Sequence, residues 1–368
     1  MSPDQLLYQV ALTLIPNIGP VQAKILLQYF DAPAIFKTKR HILERIEGIG
    51  SIRAESIRSF NHFAEAEQEI LFMEKNNIRP LFITDKDYPQ RLLHCYDSPT
   101  LLYYRGQADL NMSRVIAVIG TRNHTEYGKH VTEKFIRELA SQKVMVISGL
   151  AFGIDALAHR SALRYGLPTV GVLAHGLHTL YPFEHMNLAR EMARDGGLLS
   201  EFNSQAKPDK HNFPVRNRIV AGMSDAVIVI ETGIKGGSMI TAELANGYNR
   251  DVFAFPGKIT DSKSAGCNYL IKNNKAVLLT DTRELIELMG WDDNLKNKKK
   301  ERIQKELFIE LTKEEGIVVD ILKEKQTMHI DEINLRSNLG SSVVAAAILN
   351  LELKNMISSF PGKIYSLS

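Results

Sequence analysis

The residues best suited to chemistry lie between Ser200 and Ile230, in the run SEFNSQAKPDKHNFPVRNRIVAGMSDAVIVI. Lys207, Lys210, His211, Arg216 and Arg218 surround one aromatic residue, Phe213. The pattern predicts strand, loop, helix, strand, with Arg216-Asn217-Arg218 opening the helix. A helix start offers free backbone N–H groups and the positive end of the helix dipole. Two arginines there suit a phosphate or another oxyanion, held by charge-assisted hydrogen bonds. Phe213 adds a flat surface on which a base can stack. Pro214 favours an extended Phe213, which holds the ring out beside the helix start. The competing reading makes Phe213 a core plug and pairs the arginines with surface carboxylates.

Such a loop needs a scaffold. Residues 113–290 alternate strand and helix, the signature of a mostly parallel sheet with helices on both faces. The strand candidates are Val115–Ile119, Val144–Ser148, Thr169–Leu173, Leu198–Phe202, Ala226–Glu231, Val252–Phe255 and Ala276–Leu279. Several are unbroken apolar runs, as buried parallel strands are. Ligands bind such sheets at the carboxyl ends of the strands. Gly120-Thr121-Arg122 follows the first strand, without the G-x-G-x-x-G of a dinucleotide site. Ser148-Gly149-Leu150-Ala151-Phe152-Gly153 follows the second; its two glycines permit close approach to a ligand, and Asp155 is placed to cap the next helix. After the fifth, Gly236-Gly237-Ser238 at a helix start, with Thr241 beyond, makes another anion cradle, and Lys235 stands beside it. These cradles converge on one edge together with Arg122, Arg216 and Arg218.

Flanking segments complete the expected organisation. Residues 1–75 read as helices, and two turns, Ile15–Pro20 and Ile46–Gly50, share an apolar-x-x-Ile-Gly pattern. The repetition resembles a tandem helix-hairpin-helix module, in which a glycine turn approaches a DNA phosphate, or in which the two copies pack against each other. Residues 76–112 add two strand candidates, Ile78–Thr84 and Pro99–Tyr104, to a central domain over 76–290. The stretch 291–305 is polar and rich in lysine, from Lys296 to Lys305, and reads as a linker. Residues 306–368 spell three helices, Gly316–Lys325, His329–Asn338 (with Asp331 as candidate cap) and Ser341–Met356, then a hairpin, Ile357–Tyr365. That order suggests a winged helix. Its third helix has only Lys354 near its end, too little base for a recognition helix, which points to protein contact or a vestigial role.

Composition excludes other classes. The 368 residues are 44% hydrophobic and 24% charged, with a net charge of +3, so any nucleic-acid surface must be a local patch. No stretch has the length of an apolar membrane span, and the N-terminus lacks a secretory pattern. Cys95 and Cys267 form neither a zinc pattern nor a disulfide framework, which makes a reducing cytoplasm the expected compartment. The eleven histidines show no H-x-x-x-H or H-E-x-x-H pairing, Ser148 sits in no G-x-S-x-G elbow, and no Walker lysine follows a glycine loop. Anion cradles without bond-breaking groups predict a binding protein with no catalytic residue, metal or cofactor.

Over residues 115–257 the order VIAVIGTR, ISGLAFGIDALAH, YP, LLSEF, FPVRNRIVAGMS, GGSMITA and VFAFPG resembles the DprA/Smf family of bacterial DNA-processing proteins. The flanking domains are similar too, so the resemblance covers nearly the whole chain. It implies an extended Rossmann-like core and a cytoplasmic homodimer that binds single-stranded DNA. It implies protection of incoming strands in natural transformation and loading of RecA onto them past single-strand-binding protein. Carried onto this sequence, the pocket is Gly120, Thr121, Arg122, Ser148, Gly149, Gly153, Lys210, Phe213, Arg216, Asn217, Arg218, Gly237, Ser238 and Thr241. Two departures stand out: Gly236-Gly237-Ser238-Met239 where the family often has S-G-S-L, and His185 where it often has Asn. Two other readings compete. Gly236-Gly237 with Thr241 and Glu243 loosely resembles the loop of nucleotide phosphoribohydrolases, in which a Glu and an Arg act on the ribosyl bond. A scaffold acting through the C-terminal unit is the other.

Overall fold

The computed structural model describes residues 3–291, 311–325, 327–354, 356–360 and 363–367. The lysine-rich stretch 291–305 lies outside them from 292 onward, as do residues 361–362 of the expected C-terminal hairpin. By compactness the chain divides into Met1–Trp291 and Asp292–Ser368, so the 1–75 and 76–290 segments fall in one unit.

The first unit is built on a sheet of nine strands among the described residues: β1 (Arg79–Phe82), β2 (Leu101–Gly106), β3 (Val115–Ile119), β4 (Met145–Ser148), β5 (Thr169–Val172), β6 (Gly197–Ser200), β7 (Ala226–Val229), β8 (Asp251–Ala254) and β9 (Val277–Leu278). Their spatial order is β1-β2-β6-β5-β4-β3-β7-β8-β9. From β6 to β9 every pairing is parallel; β1 and β2 add an antiparallel edge. The chain runs outward from β3 through β4, β5 and β6, then returns to the other side of β3 with β7. That reversal creates a switch point at the carboxyl ends of β3 and β7, where doubly wound sheets hold ligands.

Strand periodicity sends alternate residues to opposite faces. Ile116, Val118, Val146 and Ile228 pack under helices α8 (Glu126–Leu139), α9 (Ile154–Arg164) and α14 (Thr282–Leu288). Val115, Ala117, Ile147 and Val227 pack on the other face against α11 (Asn212–Met223), α12 (Gly237–Gly247) and α13 (Ala265–Lys272). The same core takes in the N-terminal helices α1 (Pro3–Leu14), α2 (Pro20–Tyr29), α3 (Ala32–Lys37), α4 (Arg40–Leu43), α5 (Gly50–Arg58) and α6 (Phe63–Lys75), and the short α7 (Gln90–Leu93). Helix α10 (Met186–Asp195) closes a smaller apolar cluster beside β5 and β6.

The two repeated N-terminal turns face each other. Arg53 donates to the Asn17 carbonyl at 3.2 Å and to the Gly48 carbonyl at 3.0 Å, tying one turn to the other. Two side chains tie this helical segment to the sheet domain: Lys24 Nζ donates to the Leu93 and Cys95 carbonyls, and the buried Glu69 accepts from the Ser204 N–H.

The second unit holds α15 (Lys313–Lys323), α16 (Ile330–Ser337), α17 (Ser341–Leu353) and a sheet of β10 (Met328–His329), β12 (Ile364–Leu367) and β11 (Ile357–Phe360) in that order, a winged helix. Asp331 does not cap α16; the His329 ring does, with Nδ1 accepting from the Asp331 N–H at 3.2 Å. Lys354, the one base beside α17, donates to the buried carboxylate of Glu315 at 2.7 Å.

Candidate functional site

Three loops meet at the switch point, backbone against backbone. The Thr121 N–H donates to the Glu231 carbonyl at 2.7 Å, and the Ile154 N–H donates to the Thr121 carbonyl at 3.1 Å. The glycines of the loop after β4 leave room for protein neighbours at this meeting. Gly153 has φ +80°, and a Cβ there would lie 2.1 Å from the Thr121 carbonyl oxygen. A Cβ on Gly149 would lie 2.5 Å from the Arg216 guanidinium. Beneath them Glu231 accepts from the Thr125 N–H and hydroxyl, fixing the start of α8.

Helix α11 starts at Asn212, four residues earlier than the Arg-Asn-Arg start expected, so the arginines sit in its second turn. Phe213 is therefore helical, not extended: Pro214 falls in the first turn, where its missing N–H has no intrahelical partner to lose. Its half-exposed ring lies 5.2 Å beneath the exposed Arg122 guanidinium and 6.1 Å from Tyr181. It is not a core plug.

The arginines have separate roles. Arg216 is buried; its Nη1 donates to the Gly149 carbonyl at 2.5 Å and to the Val172 carbonyl, and its Nε to Asn217 at 3.1 Å. It thereby ties together the ends of β4 and β5. Burial pushes its pKa down to about 10, opposed by Asp155, so the group remains a cation at neutral pH. Asp155 does not cap α9. It accepts from the Gly149 and Ala151 N–H groups, at 3.2 and 3.4 Å, and burial holds its carboxyl above the usual range despite Arg216. Arg218 points elsewhere, to a buried ion pair with Glu201 and a bond to the Asp97 carbonyl.

On the far side, α12 begins at Gly237 without a side-chain cap. Its free N–H groups and dipole end face the same space. Ser238 Oγ donates to Thr232 Oγ1 at 2.7 Å, and the buried Thr241 lies one turn on. Between these walls is a cavity of about 380 Å³. Ten of the fourteen residues named from sequence line it: Gly120, Thr121, Arg122, Gly149, Phe213, Arg216, Asn217, Gly237, Ser238 and Thr241. The other four do not. Ser148 donates from inside the core to the Val118 carbonyl at 2.6 Å, Gly153 packs on Thr121, Lys210 is exposed on the approaching loop, and Arg218 is in its ion pair. Lys235 is also exposed outside the lining. Asp155, Thr232 and Gly233 line the cavity but were missed as site residues; the signal was their place directly after a strand or at a helix start.

No general acid–base pair lies in the lining among the described residues. Glu243, the carboxylate an enzyme reading would use, is exposed and paired with Lys275 at 2.6 Å. The nearby histidines are hydrogen-bonded and packed. His175 Nδ1–H donates to the Gly176 carbonyl while Nε2 accepts from the Tyr181 N–H, and burial lowers its pKa. His159 donates from Nδ1 to Thr169 Oγ1, which itself donates to Val146, and burial lowers its pKa to about 3. His185 bonds the Leu150 carbonyl at 2.9 Å. No cluster of three metal-ligating side chains occurs among the described residues, and none of the described helices is long and apolar enough to cross a membrane.

A mostly parallel sheet with a cationic, aromatic-edged cavity at its switch point defines a Rossmann-like fold, and the second unit is a winged helix. Comparison with known proteins fixes the family. The family model for DNA recombination-mediator protein A matches residues 79–290, and that for the DprA winged helix domain matches 308–363. The chain belongs to the DprA/Smf family of DNA-processing proteins. It is 40% identical to DNA processing protein DprA of Bacillus subtilis over 266 residues, covering 72% of this chain and 89% of that one. It is 36% identical to Protein Smf of Synechocystis over 299 residues, 78% and 74% of the two chains. A crystal structure of DprA from Streptococcus pneumoniae superposes with a TM-score of 0.66 at 32% identity, covering 78% of this chain and 98% of that one. DNA processing protein A from Helicobacter pylori, whose structure is described for its single-stranded DNA binding mode, superposes at 0.53 with 31% identity over 58% and 96%.

Proposed function

We propose that the cavity holds part of a single DNA strand, and that the protein, as a cytoplasmic homodimer, protects incoming strands and loads RecA onto them. The observation that carries this is the Arg122–Phe213 pair, an exposed guanidinium over a half-exposed ring at the mouth of a cavity that an uncapped helix enters. Cation, ring and free N–H groups match phosphate and base of a strand whose bases are unpaired. The likeness to the H. pylori protein supports the same reading. Binding without turnover is supported by the lining, whose one carboxylate among the described residues, Asp155, is held by backbone N–H groups.

Fluorescence anisotropy across a salt series tests it. Single strands should bind more tightly than duplex, with little sequence preference. Three to six phosphate contacts give a log–log slope of about −2 to −4. A slope near zero, or equal affinity for duplex, sinks the proposal. RecA loading is read separately, as faster filament growth on strands coated with single-strand-binding protein, and the dimer by sedimentation.

Truncation after Glu306 should leave single-strand affinity within about twofold, because α17 carries no Arg or Lys and Lys354 is engaged by Glu315. Loss of most affinity would assign DNA contact to the residues beyond 306.

A further inference from the structure

Two large rings beside the cavity are left partly in water: Phe152 is 39% exposed and Tyr181 47%. Scattered surface aromatics are ordinary, but a group at the lip of a binding cavity marks a contact surface. Phe152 and Tyr181 line a second, shallow hollow with Leu173 and Pro182, and Arg122, Phe213 and Arg216 of the main cavity line it too. The two hollows are thus continuous, with Phe213 on the divide. The second measures only about 20 Å³, too small to enclose a base, so a ligand there must lie on ring faces.

The rings are anchored from behind. The Tyr181 N–H is held by His175 Nε2 at 3.1 Å, and Phe152 packs edge-on against His185 at 5.0 Å. Tyr181 and Phe213 are tilted by 54° at 6.1 Å, so neither covers the other's face. Two ring faces and the exposed Arg122 guanidinium share this one hollow, a set that suits the bases and phosphate of neighbouring nucleotides.

We propose that Tyr181, backed by Phe152, is the stacking platform for the nucleotide adjacent to the one held in the main cavity. The proposal rests on the main cavity being a single-strand site. It assigns Tyr181 to binding and predicts that the strand leaves the cavity past Phe213 towards the loop between β5 and α10. Successive bases on successive aromatic rings are how sequence-tolerant single-strand sites gain affinity.

The test uses the full chain and oligothymidines from two to six nucleotides, measured by competition against a labelled strand. Wild-type affinity should step up by roughly five- to 100-fold when the second base becomes available. Tyr181→Ala should abolish that step, Phe152→Ala should reduce it, and Tyr181→Phe should restore it. An abasic second position on wild type should mimic Tyr181→Ala. Circular dichroism and melting confirm that the variants are folded. A step that survives in both Tyr181→Ala and Phe152→Ala overturns the platform. If Arg122→Ala and Phe213→Ala still weaken binding in that case, the main cavity stands and only the platform fails. If they too bind like wild type, the single-strand reading of the cavity fails with it.

Discussion

Glu201→Ala should destabilise the folded protein by about 3–5 kcal/mol, the cost of removing one partner from a buried ion pair. It leaves the Arg218 guanidinium inside the protein with the Asp97 carbonyl as its remaining acceptor, while the Asp97 carboxylate is held by the Tyr248 hydroxyl at 2.6 Å. A guanidinium cannot shed its proton to escape. Arg218→Ala is the milder change, because the carboxyl it leaves behind can neutralise itself. Burial already raises Glu201 from 4.5 to about 7, with Arg218 pulling the other way. A carboxyl with a raised folded pKa adds stability below its unfolded value and loses that contribution as pH climbs through the folded value. Without Arg218 the folded value rises further, so the variant goes on losing stability at a pH where wild type has stopped. Its deficit is therefore smallest near pH 5 and grows above about pH 7. Denaturant melts at pH 5, 7 and 9 measure this. A deficit independent of pH would show that the pair acts through packing alone. DNA affinity of the folded fraction should be unchanged, which separates Arg218 from Arg122.

That separation marks where sequence reading stopped. The strands were legible because buried parallel strands must be apolar throughout, and the loops after them because a parallel sheet presents its ligand edge there. Arg216 and Arg218 look equivalent in the motif. Two residues apart on a helix, they lie about 200° apart around its axis and serve different environments. Only the face by which α11 packs on the sheet decides which reaches the cavity. Gly149 and Gly153 were legible as positions that tolerate no Cβ, but not as room for protein neighbours, Arg216 and the Thr121 carbonyl. Phe213 was misplaced for a related reason. The residue before proline is biased towards extended backbone, yet the first turn of α11 accommodates Pro214. The ring still reaches the cavity mouth, carried there by the helix.

Arg122→Ala and Phe213→Ala should both weaken single-strand binding, and the salt dependence should tell them apart. Arg122 is exposed and free to meet a phosphate, so its loss removes a charge-assisted hydrogen bond of about 1.5–3 kcal/mol. It also removes one counterion-releasing contact, flattening the log–log slope by about 0.7. Phe213 contributes about 1–3 kcal/mol through stacking and releases no counterion, so its loss leaves the slope unchanged. An abasic nucleotide at the cavity position should weaken wild type and leave Phe213→Ala nearly unaffected. The two losses should not add. Arg122 stands 5.2 Å from the Phe213 ring, and that cation–π contact orients the guanidinium, so the double variant should fall short of the sum by about 0.5–1 kcal/mol. Melting midpoints should stay close to wild type for both single variants, since neither side chain is buried. Equal flattening of the slope by both substitutions would mean that Phe213 acts only by positioning Arg122, and the cavity would then grip phosphate without touching a base.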